Sequence, residues 1–283
     1  MIDAFEKAGY NHTNLAGIPF DWRISTYQVM EQQGYLQSIK QLVEKFYAAN
    51  NNMKVHMVTH SMGGVTAAYF LNQQTPEWKD KYIASFIPIS GPFQGAPKSL
   101  RSALSGDTFG IELAGLDIIS RAKVAKVARQ SGGVSELFPS PAHWPSSDVL
   151  VTTPSRTYTV KDYTDLFKAL GSPITNSVLD KTVNFLGDLQ APGVEVHCLY
   201  GTGIKTEMSY TYSTDDFSSQ PTIHYSDEGD GTVPLASLQE CKTWEHSQSP
   251  PVNIVEYHLR DHQKILTDAD VIDYILQVTT HEE

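Results

Sequence analysis

Between Gly34 and the Asn50-Asn51-Asn52 cluster, the residues Tyr35, Leu36, Ile39, Leu42, Val43, Phe46 and Tyr47 recur with the spacing of one helix face. Val55 to Thr59 is a short, β-branched apolar run instead, which predicts a buried strand. Val65 to Gln74 returns to a helical pattern, with Ala67, Ala68, Phe70 and Leu71 available for packing. A turn at Thr75-Pro76 leads to a second buried strand, Tyr82 to Ile89, which ends at Ser90-Gly91-Pro92. Ahead of this, residues 1–9 read as the end of a helix that stops at Gly9, and 11–18 as a loop or short strand. Strand and helix thus alternate in the manner of a parallel sheet covered by helices.

The alternation lapses over 93–192, which is rich in Ser, Gly and Pro, carries the aromatics Phe138, Trp144, Tyr158, Tyr163 and Phe167, and has only modest helical signals. It resumes at Val194 to Gly201, and continues with a polar, aromatic segment, the run Asp227 to Pro234, and a strand from Val252 to Leu259 that leads into Arg260-Asp261-His262. An amphipathic helix closes the chain, with Thr267 placed to cap it and Val271, Ile272, Ile275 and Leu276 to pack. The organisation expected is an α/β core in two parts, 1–92 and 193–283, interrupted by a cap or lid over 93–192 that leaves the sheet at the carboxyl end of a strand.

The chain of 283 residues, 40% hydrophobic and 19% charged, is long enough to bury a substantial core. Its net charge of -11 argues against nucleic acid as a partner but not against lipid, which an apolar loop can enter without a basic patch. No apolar run approaches the ~18 residues of a membrane span, and Met1 to Lys7 lacks the pattern of a signal peptide. The spacing of Cys198 and Cys241 fits no zinc or redox motif, leaving two buried thiols or one disulfide as readings. Asn11-His12-Thr13 is a glycosylation sequon.

Candidate chemistry centres on His60-Ser61-Met62-Gly63-Gly64, set between the first predicted strand and its helix. A serine on a sharp strand-to-helix turn exposes its hydroxyl at the carboxyl end of the sheet and turns the next amide, that of Met62, toward the same space. Small residues are expected on both sides of such a turn, and Thr59 and Gly63 meet that need. A serine hydroxyl needs a base to take its proton and a carboxylate to orient that base. Asp230 and His262, each just past a predicted strand, complete the chain order Ser, Asp, His of an α/β-hydrolase. Asp230 is preferred to Asp227 because Gly229 and Gly231 flank it and permit a tight turn; Asp227 and Glu228 read as a solvated rim. His258 lies within the strand pattern, and the elbow is expected to turn the His60 side chain away.

Seven collinear stretches resemble the lecithin:cholesterol acyltransferase-like family, most closely its lysosomal phospholipase A and transacylase branch. They are Pro19 to Arg23, Thr59 to Gly63, Trp78 to Ile83, Lys98 to Arg101, Ser105 to Asp107, His197 to Gly203 and Gly229 to Val233. The resemblance implies an α/β-hydrolase fold with an inserted lid, and Ser61 as nucleophile, Asp230 as acid, His262 as base and the Met62 amide as an oxyanion donor. It also implies a Cys198–Cys241 disulfide, hence an oxidising, secretory or lysosomal compartment, and Lys98 near the mouth of the site where the lid begins. The substrate class implied is a glycerophospholipid, whose acyl group passes through Ser61 to water or an acceptor alcohol at a membrane or lipoprotein surface, with no metal or organic cofactor. A neutral-lipid lipase or esterase, and a lipid-binding pseudoenzyme, are the alternatives. Two departures stand out: Phe93 lies in a run where the family carries a tryptophan, which would reshape an acyl-chain wall, and Asp107 to Ile111 lacks a basic residue of the lid.

The stretch before Ser61 is short for this fold, in which several strands normally precede the serine; after the long helix and the loop at Trp22 it leaves room for about one. The expectation is that the first strands and the loop giving a second oxyanion amide are absent, so that one sheet edge is exposed and the site lacks a donor worth roughly a hundred- to a thousandfold in rate. The 283 residues alone are then expected to be poorly soluble and to hydrolyse phospholipid negligibly. Sedimentation and phospholipid turnover check this, and a soluble monomer with rates equal to an upstream-extended form would overturn it.

Overall fold

Four parallel strands, β1 (Val55–His60), β2 (Ile83–Ile89), β5 (Glu195–Thr202) and β8 (Val252–His258), lie side by side in the order β1-β2-β5-β8. A second, mixed sheet of order β4-β3-β6-β7 is built from β3 (Val151–Thr152), β4 (Thr157–Tyr158), β6 (Thr206–Thr211) and β7 (Thr222–Ser226). These elements come from a computed structural model that describes residues 1–107 and 120–280. The lid stretch beyond Asp107 that was noted for its lack of a basic residue lies outside the described residues.

The parallel sheet is covered on both faces, as continuous apolar strands require. On one side pack the helices Tyr35–Ala49, Met62–Asn72 and Pro76–Tyr82, contributing Ile39, Val43, Phe70, Leu71 and Trp78 against Met57, Phe86 and Val196. On the other, Phe5 of the helix Ile2–Lys7 and Val271 and Ile275 of the helix Ala269–Thr280 meet Ile87, Ile89 and Leu199. The closing helix starts later than the sequence pattern implies. Thr267 hands its hydroxyl to Lys264 O, and it is Asp268 whose carboxylate accepts the Asp270 N–H at 3.1 Å, an aspartate in the first turn also suiting the helix dipole.

No strand precedes β1 among the described residues, where about one was expected. The chain before it is spent on helices and on the loop through Trp22, because the apolar side chains of 35–47 have helical spacing. Among the described residues β1 is therefore one edge of this sheet, and β8 the other.

The small mixed sheet joins two distant pieces of sequence. β3 and β4 lie within 93–192, whereas the hairpin β6–β7 follows β5, and β6 pairs with β3 in parallel, Val151 opposite Tyr210. Their shared core includes Leu100, Phe138, Leu150, Tyr163, Phe167, Tyr210 and Tyr212. Buried Arg101 ties the helix Pro97–Ser105 to β6, donating to Glu207 at 2.9 and 2.8 Å and pairing with Asp107. With two carboxylates on one guanidinium, the charge is held by bidentate bonds in place of water.

Cys198 on β5 is bridged to Cys241 in the 3₁₀ segment Gln239–His246, and both are buried. The bridge spans 43 residues, and chain entropy for such a loop gives about 4 kcal/mol of stabilisation. Cys241→Ser is expected to lower the urea unfolding free energy by about that amount, and peptide mapping without reductant to recover one linked peptide pair.

Candidate active site

Ser61 sits where β1 turns into the helix Met62–Asn72, at φ 52° and ψ −126°. Its N–H donates to Ile89 O at 2.9 Å, so the turn is pinned to the end of β2, and Gly64 N–H bonds back to Ser61 O at 2.9 Å. The space demanded at the elbow is modest on one side: a Cβ at Gly63 would lie 3.8 Å from Thr59 Cβ, an ordinary contact, so threonine at 59 is accommodated. Met62 is the first helical residue, which turns its amide into the unsatisfied first turn of the helix.

His262, from the loop after β8, and Asp230 meet Ser61 at the same carboxyl end of the parallel sheet. His262 Nε2 lies 2.9 Å from Ser61 Oγ, and Nδ1 lies 2.7 Å from Asp230 Oδ2. An ionised carboxylate only accepts, so the Nδ1–H donates to Asp230 and Nε2 is left to accept from the serine O–H. Asp230 is fully buried; its other oxygen accepts the amides of Thr232 at 3.0 Å and Val233 at 2.8 Å, and its own carbonyl accepts the His262 N–H at 2.9 Å. The carboxylate is thus fixed by three donors before any chemistry takes place. Gly229 is needed twice over: φ is +139°, and a Cβ there would stand 2.4 Å from Thr206 Oγ1. At Gly201 the demand is close approach, since a Cβ would come within 1.9 Å of Arg260 O in the loop that delivers His262. Asp227, Glu228 and His258 are exposed and take no part.

His60 departs from expectation. Its ring is not turned away but packs 4.9 Å from the His262 ring, and its Nε2–H donates to His262 O at 2.8 Å. Burial, reinforced by His262 beside it, pushes its pKa down to about 4. The period of two along β1, which places His56, Val58 and His60 on one face, was the signal that a residue beside the serine could still point inward.

Beside Ser61 opens a cavity of about 510 Å³, walled by β1, the helix Tyr35–Ala49 and the loop through Phe20 and Trp22. Ser61 and Met62 line its end, and Tyr35, Ile39 and Val43 its side. Among the described residues none of its walls comes from 93–192, so the apolar space at the serine lies along the edge of β1 rather than beneath the expected cap. Phe93 is 2% exposed and lies in the core, edge-on to Trp244 at 4.8 Å and against Gly64 and Gly91. Lys98 lies half-buried in the first turn of Pro97–Ser105 and does not line this cavity.

The family profile described as Lecithin:cholesterol acyltransferase matches residues 1–191 and 187–277. The chain belongs to the lecithin:cholesterol acyltransferase family. Among curated relatives, the rat protein named Lysosomal phospholipase A and acyltransferase is 33% identical, over 100% of this chain and 66% of its own length. The human protein of that name is 32% identical over 98% of this chain and 65% of its length, and the chicken Phosphatidylcholine-sterol acyltransferase 32% over 92% and 64%. This lecithin:cholesterol acyltransferase family member therefore spans slightly less than two-thirds of the relatives' length. A chain in the crystal structure of the Tle4-Tli4 complex superposes with a TM-score of 0.63 at 16% identity, covering 93% of this chain and 68% of that one. The parallel sheet, the elbow and these likenesses make the fold that of an α/β-hydrolase.

The buried position of His60 predicts that its ring stays neutral to about pH 4. In a ¹H–¹³C NMR titration its Cε1 resonance is expected to move only near that value. Titration near the ordinary 6.5 would mean that the ring is not packed against His262.

Proposed function

We propose that this chain carries out serine acyl transfer from glycerophospholipids, with Ser61 as nucleophile, His262 as base, Asp230 as its orienting acid and the Met62 N–H as an oxyanion donor. The observation that carries the reading is the unbroken hydrogen-bond chain from Asp230 through His262 to Ser61. In this reading Ser61 Oγ attacks the ester carbonyl while His262 Nε2 takes its proton. The carbonyl oxygen becomes the oxyanion held by Met62, then re-forms the double bond as the C–O bond to the glycerol breaks, and His262 returns the proton to the departing lysophospholipid hydroxyl. Water or an acceptor alcohol then attacks the acyl-serine by the same steps in reverse roles. Phospholipid as substrate is supported by the names of the curated relatives and by the 510 Å³ apolar space at Ser61, within the roughly 300–1,000 Å³ of small-molecule sites.

Residues 93–192, joined by the hairpin β6–β7, are read as the cap, with Lys98 near its base. The buried Cys198–Cys241 bridge supports folding in an oxidising compartment, secreted or lysosomal, and the names of the lysosomal relatives support the latter. Peripheral contact with a lipid surface follows from the substrate class.

In an upstream-extended, complete form of the enzyme, Ser61→Ala, Asp230→Asn and His262→Ala are each expected to lower acyl release from phosphatidylcholine vesicles by several orders of magnitude. Double variants are expected to be little worse than singles, because the three act as a unit. Substantial turnover by Ser61→Ala would remove the mechanism.

A further inference from the structure

Glu136 follows the short helix Gly132–Ser135 and is 2% exposed, yet no cation faces it among the described residues. Its Oε2 accepts the Thr26 N–H at 2.9 Å, and its Oε1 lies 2.6 Å from Thr26 Oγ1. Thr26 Oγ1 is in turn 3.3 Å from Thr66 Oγ1, which donates to Met62 O at 3.0 Å. A buried relay therefore runs from Glu136 to the carbonyl of the residue that follows Ser61. The same segments meet elsewhere, with Ser131 Oγ donating to Arg23 O at 2.7 Å and a Cβ at Gly133 falling 2.7 Å from Met62 Cε.

Counting hydrogens decides the protonation state that closes this relay. Thr66 gives its hydroxyl hydrogen to Met62 O, so the contact between the two threonines must use the hydrogen of Thr26. The 2.6 Å contact between Thr26 and Glu136 then holds a hydrogen only if the carboxyl supplies it. We propose that Glu136 is a positioning residue, a buried carboxylic acid that supports the Met62 turn of the elbow through Thr26 and Thr66, and that its ionisation draws the Thr26 hydrogen onto the carboxylate and breaks the link between the two threonines behind that turn. The proposal rests on Ser61 being the nucleophile and Met62 an oxyanion donor.

Burial raises the Glu136 pKa to about 8, against the pull of the two bonds that Thr26 would donate to the ionised form. The charged groups on the packed elements are engaged elsewhere or face solvent: Asp21 and Arg23 pair with each other at the surface, Tyr69 bonds Glu31, and Asp180 and Lys181 are exposed. The folded chain thus keeps a proton that the unfolded chain releases near pH 4.5. The stabilisation is complete below that value and is lost as pH rises through about 8.

The test measures two quantities on the 283-residue protein from about pH 5 to about 9.5: the rate of Ser61 labelling by an alkyl phosphonate and the thermal unfolding midpoint. The wild-type labelling rate is expected to fall several-fold above about pH 8. Glu136→Ala, which removes the relay, is expected to label about tenfold more slowly throughout, a fraction of the loss on deleting an oxyanion donor. Glu136→Gln, whose amide can donate to Thr26 Oγ1 but cannot ionise, is expected to restore the rate lost in Glu136→Ala and to lack the alkaline fall. Thr66→Val cuts the relay at its Met62 end and is expected to slow labelling with the Glu136 site intact. The same alkaline fall in wild type and Glu136→Gln would overturn the proposal, as would an identical pH dependence of their unfolding midpoints. If wild-type Ser61 is not labelled at any pH, the nucleophile reading fails and, with it, the positioning role; the unfolding profiles still separate a protonated from an ionised Glu136.

Discussion

Ser61 is held at φ 52° and ψ −126°, a region that a residue with a Cβ enters at a cost of about 1–3 kcal/mol. That backbone is what lifts the hydroxyl off the sheet, and the surroundings are arranged to keep it there. The Ser61 amide is tied to the last carbonyl of β2, the parallel pairing of β1 and β2 continues to His60 opposite Ile89, and the helix that follows buries Val65, Ala68, Phe70 and Leu71. Deep burial of that helix, each large side chain worth roughly 1.5–3 kcal/mol, outweighs the strain of a single residue. Ser90 repeats the device at the end of β2, with φ 54° and its amide tied to Leu199 O.

His262 is immobilised by different means. His262 has its ring held by Asp230, its N–H by Asp230 O and its carbonyl by His60, so that little conformational freedom remains to it. Two carboxyl groups near the site are treated in opposite ways. The Asp230 carboxyl faces three donors, the amides of Thr232 and Val233 and the His262 ring, whereas Glu136 faces only Thr26 and no cation among the described residues. Number of donors, rather than depth of burial, distinguishes the two.

Much of this was legible in residue order. The strand-turn-serine-glycine-helix run around Ser61, and the glycines bracketing Asp230, announce backbone shapes that few other residues permit, so local sequence sufficed to locate two of the three groups. His262 was found by chain order and by the strand before it. What escaped was set by contacts between distant segments. The inward turn of His60 depends on the loop at 259–262, and the coupling of Glu136 to Thr26 spans 110 residues. Cavity placement escaped for the same reason: the sequence pattern marks 93–192 as an excursion but carries no record of which wall it builds. Phe93 followed a glycine-rich turn, and an aromatic there reads equally well as pocket lining or core; its contacts with Gly64, Gly91 and Trp244 make it core.

The pairing of β3 with β6 divides one small sheet between residues 151–158 and residues 206–226. Thr206, at the start of the second piece, also accepts the Gly231 N–H at 2.9 Å, one residue from Asp230. The excursion is therefore not a removable cassette. Excising or exchanging 93–192 alone would strand half a sheet on the core and strip from Tyr210 and Tyr212 most of the apolar cluster they share, leaving Phe217 against Tyr212. A chimera that keeps the geometry of Asp230 must carry both pieces together.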